Sequence, residues 1–389
     1  MRSHSYLNTA LSLLDSYDGS LPLQHHLKQY FSQHKKHGSK DRKYIAHLCY
    51  CFFRLGNALR NIFNEERIKI ALFLCSDNPG IFSGLFDATW LEQWQNDIAG
   101  RIQFIQTTYP SFNVKDIFIL HDELSEGVDA SLFSTSHLTQ PDVFIRIRPN
   151  KKNIVQTKLN EANVAYTLLS DDCIALPNTT AIDKIIAIDE QAVVQDVSSQ
   201  HISEFLSLVK AKQNKISIWD CCAASGGKSI LAVDTLNDVQ LTVSDIRPSI
   251  IKNLQERFQR AGIKNYRSFI ADLTQALPSK NKFQLIICDA PCTGSGTWGR
   301  TPEHLYFFNK KTIEEYTSLQ EKIVLNAAKQ LEDDGYFLYI TCSVFKQENE
   351  SMTQFIEKNL HLESIKSELI KGYTQKADTM FAALFKKQH

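Results

Sequence analysis

The stretch Trp219–Ser229 reads Trp-Asp-Cys-Cys-Ala-Ala-Ser-Gly-Gly-Lys-Ser and sits between a strand-like run (216–219) and an apolar helical run (Ile230, Leu231, Val233, Leu236). A small, glycine-bearing turn in that position lets a ligand approach the backbone and meet the amides of a helix N-terminus. Two nucleotide chemistries use this device. A phosphate loop requires Gly-x-x-x-x-Gly-Lys-Ser/Thr; Gly227, Lys228 and Ser229 comply, but the first glycine would fall on Cys222. A nucleoside site requires an acid about 20 residues downstream for the ribose hydroxyls. Asp245 stands 18 residues after Gly227, at the end of a second strand-like run. The nucleoside reading fits better. Further polar signatures follow later strands: Asp272, where an adenine amino group could be held; Asp289-Ala-Pro-Cys292-Thr-Gly-Ser-Gly296; and Thr341-Cys342-Ser343 with Glu348-Asn349-Glu350. Acids and thiols after five successive strands converge on one crevice, because parallel sheets bind ligands beyond their C-terminal strand ends.

The elements that must position these residues follow from periodicity. Runs 216–220, 241–245, 267–270, 284–289 and 335–341 are strand-like, with helical segments between them. That alternation specifies an α/β fold with a doubly wound, mostly parallel sheet. The helix expected over 312–331 (Tyr316, Leu319, Ile323, Ala327, Leu331) is stopped by Asp333-Asp334-Gly335. The tail run 380–385 is expected to add an antiparallel edge strand. Upstream, 5–76 reads as a helical bundle, with its strongest stripe at Tyr44, Ile45, Leu48, Phe52, Leu55 and Leu59. Asp77-Asn-Pro-Gly80 interrupts it, and a helical stretch punctuated by aromatics runs from 84 to 109. From 141 the period changes to two, with Arg146 and Arg148 on one strand face. A helix (154–162), strands (164–169, 173–176), a second helix (181–188) and a last strand (192–195) complete a small ferredoxin-like α+β order. The expected domains are 1–110, 111–199 and 200–389, with a boundary near 199 before a helix over 201–212.

With 389 residues, 43% of them hydrophobic and 22% charged, the chain can bury a substantial core in two or three domains. Charge cancels overall, yet residues 1–70 hold eleven Lys and Arg against five Asp and Glu, a local +6. Such an excess suits a polyanion partner or a solvated helical surface. Nine cysteines without a Cys-x-x-Cys pair argue against a disulfide framework and against zinc. The N-terminus lacks the apolar run of a signal peptide, and no segment approaches the roughly 18 apolar residues of a membrane span. We expect a cytoplasmic, monomeric protein with reduced thiols and no metal.

Taken together, Asp-x-Cys-Ala-Ala-x-Gly-Gly-Lys (220–228), Asp-Ala-Pro-Cys-x-Gly-x-Gly (289–296) and Thr-Cys-Ser with Glu-Asn-Glu (341–350) resemble the NOP/Sun (RsmB-like) RNA cytosine-5 methyltransferases. Val194–Gln200 is similar to the segment that leads into that family's catalytic domain, and residues 40–56 resemble the NusB-like helical domain of its bacterial rRNA members. The resemblance implies a Rossmann-like class I methyltransferase domain that uses S-adenosyl-L-methionine. Cytosine C5 is a poor nucleophile until a thiolate adds to C6, and a base must later take the C5 proton. By resemblance Cys342 is that nucleophile and Cys292 assists release. Asp289 meets the cytosine near N3 and its exocyclic amine, and Lys228 raises the positive potential. The cofactor would lie on Cys222, Ala223, Ala224, Ser225, Gly226, Gly227 and Lys228, with Asp245 on the ribose, Asp272 near the adenine, Asp289 alongside and Arg247 as a cover. Arg300, in the loop that meets RNA in the family, joins Arg146 and Arg148 as RNA-binding residues. The partner implied is RNA, with small-subunit rRNA ahead of other rRNA and tRNA, and the base must be flipped or single-stranded. Three positions depart from the family: Ser225 replaces a proline, Asp378-Thr-Met-Phe-Ala-Ala replaces Asp-Gly-Phe-Phe-Ala-Ala, and Trp298-Gly299 precedes Arg300 where a basic residue is common. Two rivals stand beside this reading: a P-loop NTPase, and a non-catalytic RNA-binding assembly factor that keeps the fold.

Overall fold

The computed structural model describes residues 2–210, 215–277 and 281–388. The chain forms two compact units. One comprises Met1–Asp122, Val128–Gln140 and Thr297–Lys310; the other comprises Glu123–Gly127, Pro141–Gly296 and Lys311–His389.

The first unit is helical, with its principal helices at Arg2–Ser16, Leu23–Gln33, Ser39–Arg54, Asn64–Cys75 and Ile98–Thr108. The stripe expected over 41–60 is its core: Ile45, Leu48, Phe52, Leu55 and Leu59 are all buried. The aromatic stretch 84–109 is two helices rather than one, because Asp87 and Asp97 each cap a new N-terminus by accepting a backbone N–H. Two arginines of the basic front are interior. Arg54 donates to the carbonyls of His137 and Thr139, and Arg67 to those of Ala58 and Gly56. The charge count therefore overstates the basic surface.

The second unit holds two sheets. The smaller contains β1 (Val143–Ile147), β2 (Thr167–Leu168), β3 (Cys173–Leu176) and β4 (Ala192–Val194) in the order β2-β3-β1-β4, with antiparallel pairs throughout. This is the strand order of a split β-α-β module. The second helix expected over 181–188 is a single 3-10 turn, Ile182–Lys184, and Asp189 beyond it takes a left-handed backbone.

The larger sheet contains β5 (Ile216–Asp220), β6 (Val239–Asp245), β7 (Tyr266–Ile270), β8 (Phe283–Asp289), β9 (Leu331–Thr341), β10 (Leu362–Ile370) and β11 (Met380–Lys387). Its order is β10-β11-β9-β8-β5-β6-β7, parallel from β9 to β7 and antiparallel where β11 meets β9 and β10. Period-two alternation sorts the strands' side chains onto two faces. Ile218, Leu285, Ile287, Leu338 and Ile340 pack with Phe205, Leu231, Leu254 and Phe258. Trp219, Ile286, Phe337 and Tyr339 pack with Ile323, Val324, Met352 and Ile356 on the other face. Helices on both faces make the sheet doubly wound, as its near-continuous apolar central strands require.

Three expectations are corrected. The tail strand is not the edge. Met380–Phe385 is an unbroken apolar run and lies inside the sheet, while the edge is β10, which is buried only at its two ends, Leu362 and Ile370. Asp333-Asp334-Gly335 does not stop a helix, which already ends at Ala328. It forms a bulge within β9, where the register against β8 jumps from Leu331 to Tyr336. The boundary near 199 falls inside the helix Val197–Ser207, which Asp196 caps by accepting from Ser198 N–H at 2.9 Å; residues 211 and 212 of the expected helix lie outside the described residues.

The two sheets are joined by buried charge. Arg146 donates to Asp234 at 2.7 Å and to Gln195 at 2.9 Å, and Arg148 pairs with the same Asp234 at 2.7 Å while donating to the carbonyls of Asp189 and Ala261. Asp189 in turn receives Arg257 at 2.7 Å and Arg260 at 2.9 Å. Arg146 and Arg148 do share a strand face, but that face meets the helix Gly227–Leu236, so the phosphate-binding role read from them is replaced by a structural one. Breaking a buried pair strands the remaining charge, at a cost of about 3–5 kcal/mol. Asp234→Ala should therefore lower the unfolding free energy by about that amount in urea titrations, and an unchanged midpoint would contradict the assignment.

Candidate functional site

The loops beyond the C-terminal ends of five strands build the site, and the strand order arranges them along one line. Cys342 follows β9; Asp289 ends β8 and Cys292 follows it; the turn 221–227 follows β5; Asp245 ends β6; Asp272 follows β7. With neighbouring strands about 4.8 Å apart, thiols at one end and Asp245 at the other are separated by roughly 14 Å. That span matches a nucleoside with an attached side chain. A cavity of about 530 Å³ runs along it, lined by Cys222, Ala224, Asp245, Arg247, Asp272, Asp289, Cys292 and Cys342 among others.

The turn itself is held from below. Gly226 has φ of 83°, a conformation glycine adopts without strain, and it opens the helix Gly227–Leu236. Ala223 N–H donates to the Ser244 carbonyl at 2.9 Å and is buried, so Ala223, Gly226 and Gly227 shape the turn while Cys222 and Ala224 face the cavity. Ser225, which stands where the family has proline, accepts from Arg257 at 3.0 Å. That bond ties the turn, through Arg257, to the Asp189 ion-pair cluster.

Asp245 is fully engaged. Its carboxylate accepts from Ala224 N–H at 3.1 Å, from Arg247 N–H at 3.0 Å, and from the Arg247 guanidinium at 3.0 and 3.2 Å. Burial acts to raise this carboxyl, but the Arg247 contacts outweigh it and hold the group below its ordinary value. These contacts use all four lone-pair directions of the carboxylate. A ribose diol must therefore displace the Arg247 side chain, which is more than half exposed. Asp272 borders the cavity while accepting from the Thr274 amide at 2.9 Å and hydroxyl at 2.7 Å, which lowers its carboxyl.

At the other end Cys292 Sγ and Cys342 Sγ lie 3.4 Å apart. The hydrogen bond to Cys342, together with burial, pushes the Cys292 thiol well up. That direction keeps Cys292 a thiol. Lys228 is nearly buried and pairs with Asp289 at 3.1 Å, so its charge is directed at that carboxylate. Behind the thiols, Glu348 accepts from Thr293 N–H at 2.9 Å, Thr293 Oγ1 at 2.5 Å, Gln320 Nε2 at 2.9 Å and the Ser343 hydroxyl. Gly296 N–H donates to the Cys342 carbonyl at 2.9 Å, and Thr379 N–H to the Gly296 carbonyl at 2.9 Å. A Cβ on Gly296 would overlap the Thr379 carbonyl, which explains a glycine there.

Several contributors were not singled out in the sequence. Tyr316, Leu319 and Ile323 line the cavity from the helix Lys311–Ala328; they belong to the stripe already read as core, whose leading end turns out to face the ligand space. Ile246 and Leu273 add apolar wall beside Asp245 and Asp272. Arg146 and Arg148 lie outside this cavity, and Arg300 belongs to the helical unit. Asp220 is wholly buried, accepts from the Ser229 hydroxyl at 2.6 Å and leaves Oδ1 without a partner among the described residues. Burial, aided by the neighbouring Asp289, pushes it up to about 7. A carboxyl raised by folding lends stability below its unfolded value near 4, and that stability is lost as pH rises through about 7. Asp220→Asn should thus be increasingly stabilised relative to wild type between pH 4 and 7, by on the order of a few kcal/mol. Parallel thermal melts across that range check this, and a pH-independent difference would contradict it.

Residues 207–388 match a family model described as 16S rRNA methyltransferase RsmB/F. Ribosomal RNA small subunit methyltransferase B of Pasteurella multocida is 27% identical over 234 residues, which are 57% of this chain and 51% of that protein. The chain spans about half the length of this curated relative, and less of others. Among solved structures, the crystal structure of PH0851 superposes with a TM-score of 0.69 at 18% identity, covering 99% of this chain and 98% of that one. NSun6 from Pyrococcus horikoshii with SFG gives 0.59 at 14% identity, covering 67% and 94%. At those identities the structural likenesses speak for the fold alone: a class I methyltransferase sheet with helices on both faces.

Proposed function

We propose that this chain, a member of the RsmB/F methyltransferase family through its residues 207–388, transfers a methyl group from S-adenosyl-L-methionine to C5 of a cytosine in RNA, with small-subunit rRNA the preferred substrate. The observation that carries this reading is the pair of thiols, Cys292 and Cys342, 3.4 Å apart at one end of a cavity whose other end holds Asp245. A nucleoside cofactor and a target base would then meet at the thiols.

The residues present suit such a cofactor. Asp245, released by Arg247, would take the ribose hydroxyls. Asp272, Ile246 and Leu273 would flank the base, and the cavity faces of Cys222 and Ala224 would line the chain between. Bound there, S-adenosyl-L-methionine supplies an electrophilic methyl group.

The other steps belong to the side chains. Cys342 as thiolate forms a bond to cytosine C6, and the electron pair displaced toward C5 makes that carbon nucleophilic. Cys292 favours this state by offering its S–H to the Cys342 sulfur. Asp289, oriented by Lys228, meets the cytosine at N3 and the exocyclic amine, where charge develops during addition. After C5 is methylated, its proton leaves to a base, the C6–S bond breaks and Cys342 recovers its electron pair, with Cys292 assisting that release. Glu348 touches no reacting atom. It keeps the two thiol-bearing loops together.

In the phosphate-loop alternative, Lys228 would reach a terminal phosphate; here it is directed at Asp289, and no residue of that alternative uses Cys342. A retained fold without turnover would leave the thiol pair unexplained.

Methyl transfer from labelled S-adenosyl-L-methionine to unmodified 16S rRNA, 23S rRNA and tRNA, with nucleoside mass spectrometry of the product, tests the reading. We expect 5-methylcytidine in 16S rRNA and a loss of at least about 10³-fold in Cys342→Ala. Methylation at another atom, or an active Cys342→Ala, would overturn it.

A further inference from the structure

Beneath the cofactor turn lies a second group of thiols that the proposed reaction does not use. Cys221 follows β5 and Cys288 lies within the adjacent parallel strand β8; their register pairs Asp220 with Ile287, and Cys221 N–H donates to the Ile287 carbonyl at 2.9 Å. Cys222 follows in sequence. The three sulfurs all lie within 4.8 Å of one another. Cys288 is buried away from the cavity, whereas buried Cys221 and part-buried Cys222 both line the cavity that also holds Asp245, Cys292 and Cys342. Three sulfurs held at about 2.3 Å from one centre lie at most roughly 4.0 Å from one another, and about 3.5 Å apart on a pyramid, so sulfur shifts of at most about an ångström, within reach of χ1 adjustments, would bring this trio onto a single centre.

We propose that Cys221, Cys222 and Cys288 form a three-thiol site for a soft trivalent ion of the arsenite class, reached through the cavity, and that filling it weakens nucleoside binding on the turn above. The chemistry selects the ion. Sulfur ligands favour soft centres over hard ones. A divalent ion on three thiolates would carry net negative charge into a buried place flanked by Asp220 and Asp289. Arsenous acid instead exchanges three As–OH bonds for three As–S bonds, the three thiol protons leave with the hydroxyls as three waters, and arsenic stays trivalent. The product is neutral and suits a buried position. Coupling to the cofactor site follows from geometry, because Cys222 belongs to both: drawing its sulfur down toward Cys288 moves the residue that forms the cavity wall and the start of the turn. This coupling rests on the function proposed above; ion binding does not.

The thiol pair Cys292–Cys342 could also take arsenite, so the test uses the full chain with Cys292→Ala and Cys342→Ala as the background. Native mass spectrometry after arsenite counts protons lost per arsenic. A three-thiol adduct loses three, while a two-thiol adduct keeps a hydroxyl. The background should form one three-thiol adduct, and Cys288→Ala and Cys221→Ala, each checked for folding by circular dichroism, should both lose it. A background that gives only two-thiol adducts, or a folded Cys288→Ala that keeps the three-thiol adduct, overturns the site. Calorimetry with S-adenosyl-L-homocysteine reads the coupling: its affinity in the background should fall at least about tenfold with arsenite and not in Cys288→Ala. An unchanged affinity overturns the coupling. If the nucleoside fails to bind even without arsenite, the proposed function fails while the adduct stands.

Discussion

The buried carboxylate of Glu348 is what the site depends on. It accepts from both the amide and hydroxyl of Thr293, from Gln320 and from Ser343, so one side chain gathers the loop after β8, the loop after β9 and the helix Lys311–Ala328. Burial pushes this carboxyl up, and the bonds from Ser343, Thr293 and Gln320 act against that rise. Such a cluster is stable only when nearly every lone pair is used. Its neighbour Asn349 extends the arrangement, accepting from Thr341 Oγ1 at 2.6 Å and donating to Ser125 Oγ and the Ser343 carbonyl. The two thiols are close because their loops share these anchors, to which the bond from Gly296 N–H to the Cys342 carbonyl adds another.

The remaining charges grade along the sheet edge. Lys228 serves Asp289 near the thiols, and Arg247 serves Asp245 two strands further along. Both acids are therefore paired before any ligand arrives. The pairs differ in burial: Lys228 is enclosed, while Arg247 is open to solvent and able to swing aside. A ligand that brings its own hydroxyls to Asp245 replaces one set of donors with another. Asp289 differs, because its partner Lys228 is enclosed. An enclosed pair lies beside the thiols and a movable one at the far end of the cavity.

Much of this was legible in the sequence because the signals were local. The turn 220–228, Asp289–Gly296 and Thr341–Ser343 each follow an apolar run that can only be a strand, and alternation with helices fixes where parallel strand ends must gather. What was not legible depended on partners distant in the chain. Arg146 and Arg148 alternate as surface residues do, and only the fold reveals that Asp234 receives both. Cys288 looks like an apolar strand residue until β8 is laid beside β5 and meets Cys221 and Cys222. The tail run was taken for an edge although its unbroken hydrophobicity, Met380 to Phe385, is the mark of a strand covered on both faces. Asp333-Asp334-Gly335 has the composition of a helix stop and serves as a bulge, a distinction made by the register of β8 rather than by the residues themselves.

The central claim is that Cys342 bonds to the base and Cys292 lets it go. Trapping tests that division most directly: wild type, Cys292→Ala and the double variant with Cys342→Ala are incubated with S-adenosyl-L-methionine and unmodified 16S rRNA and resolved on a denaturing gel. We expect an RNA-linked protein band that accumulates in Cys292→Ala and is absent from the double variant. A band that persists without Cys342, or a Cys292→Ala protein that methylates and releases RNA as wild type does, would contradict it.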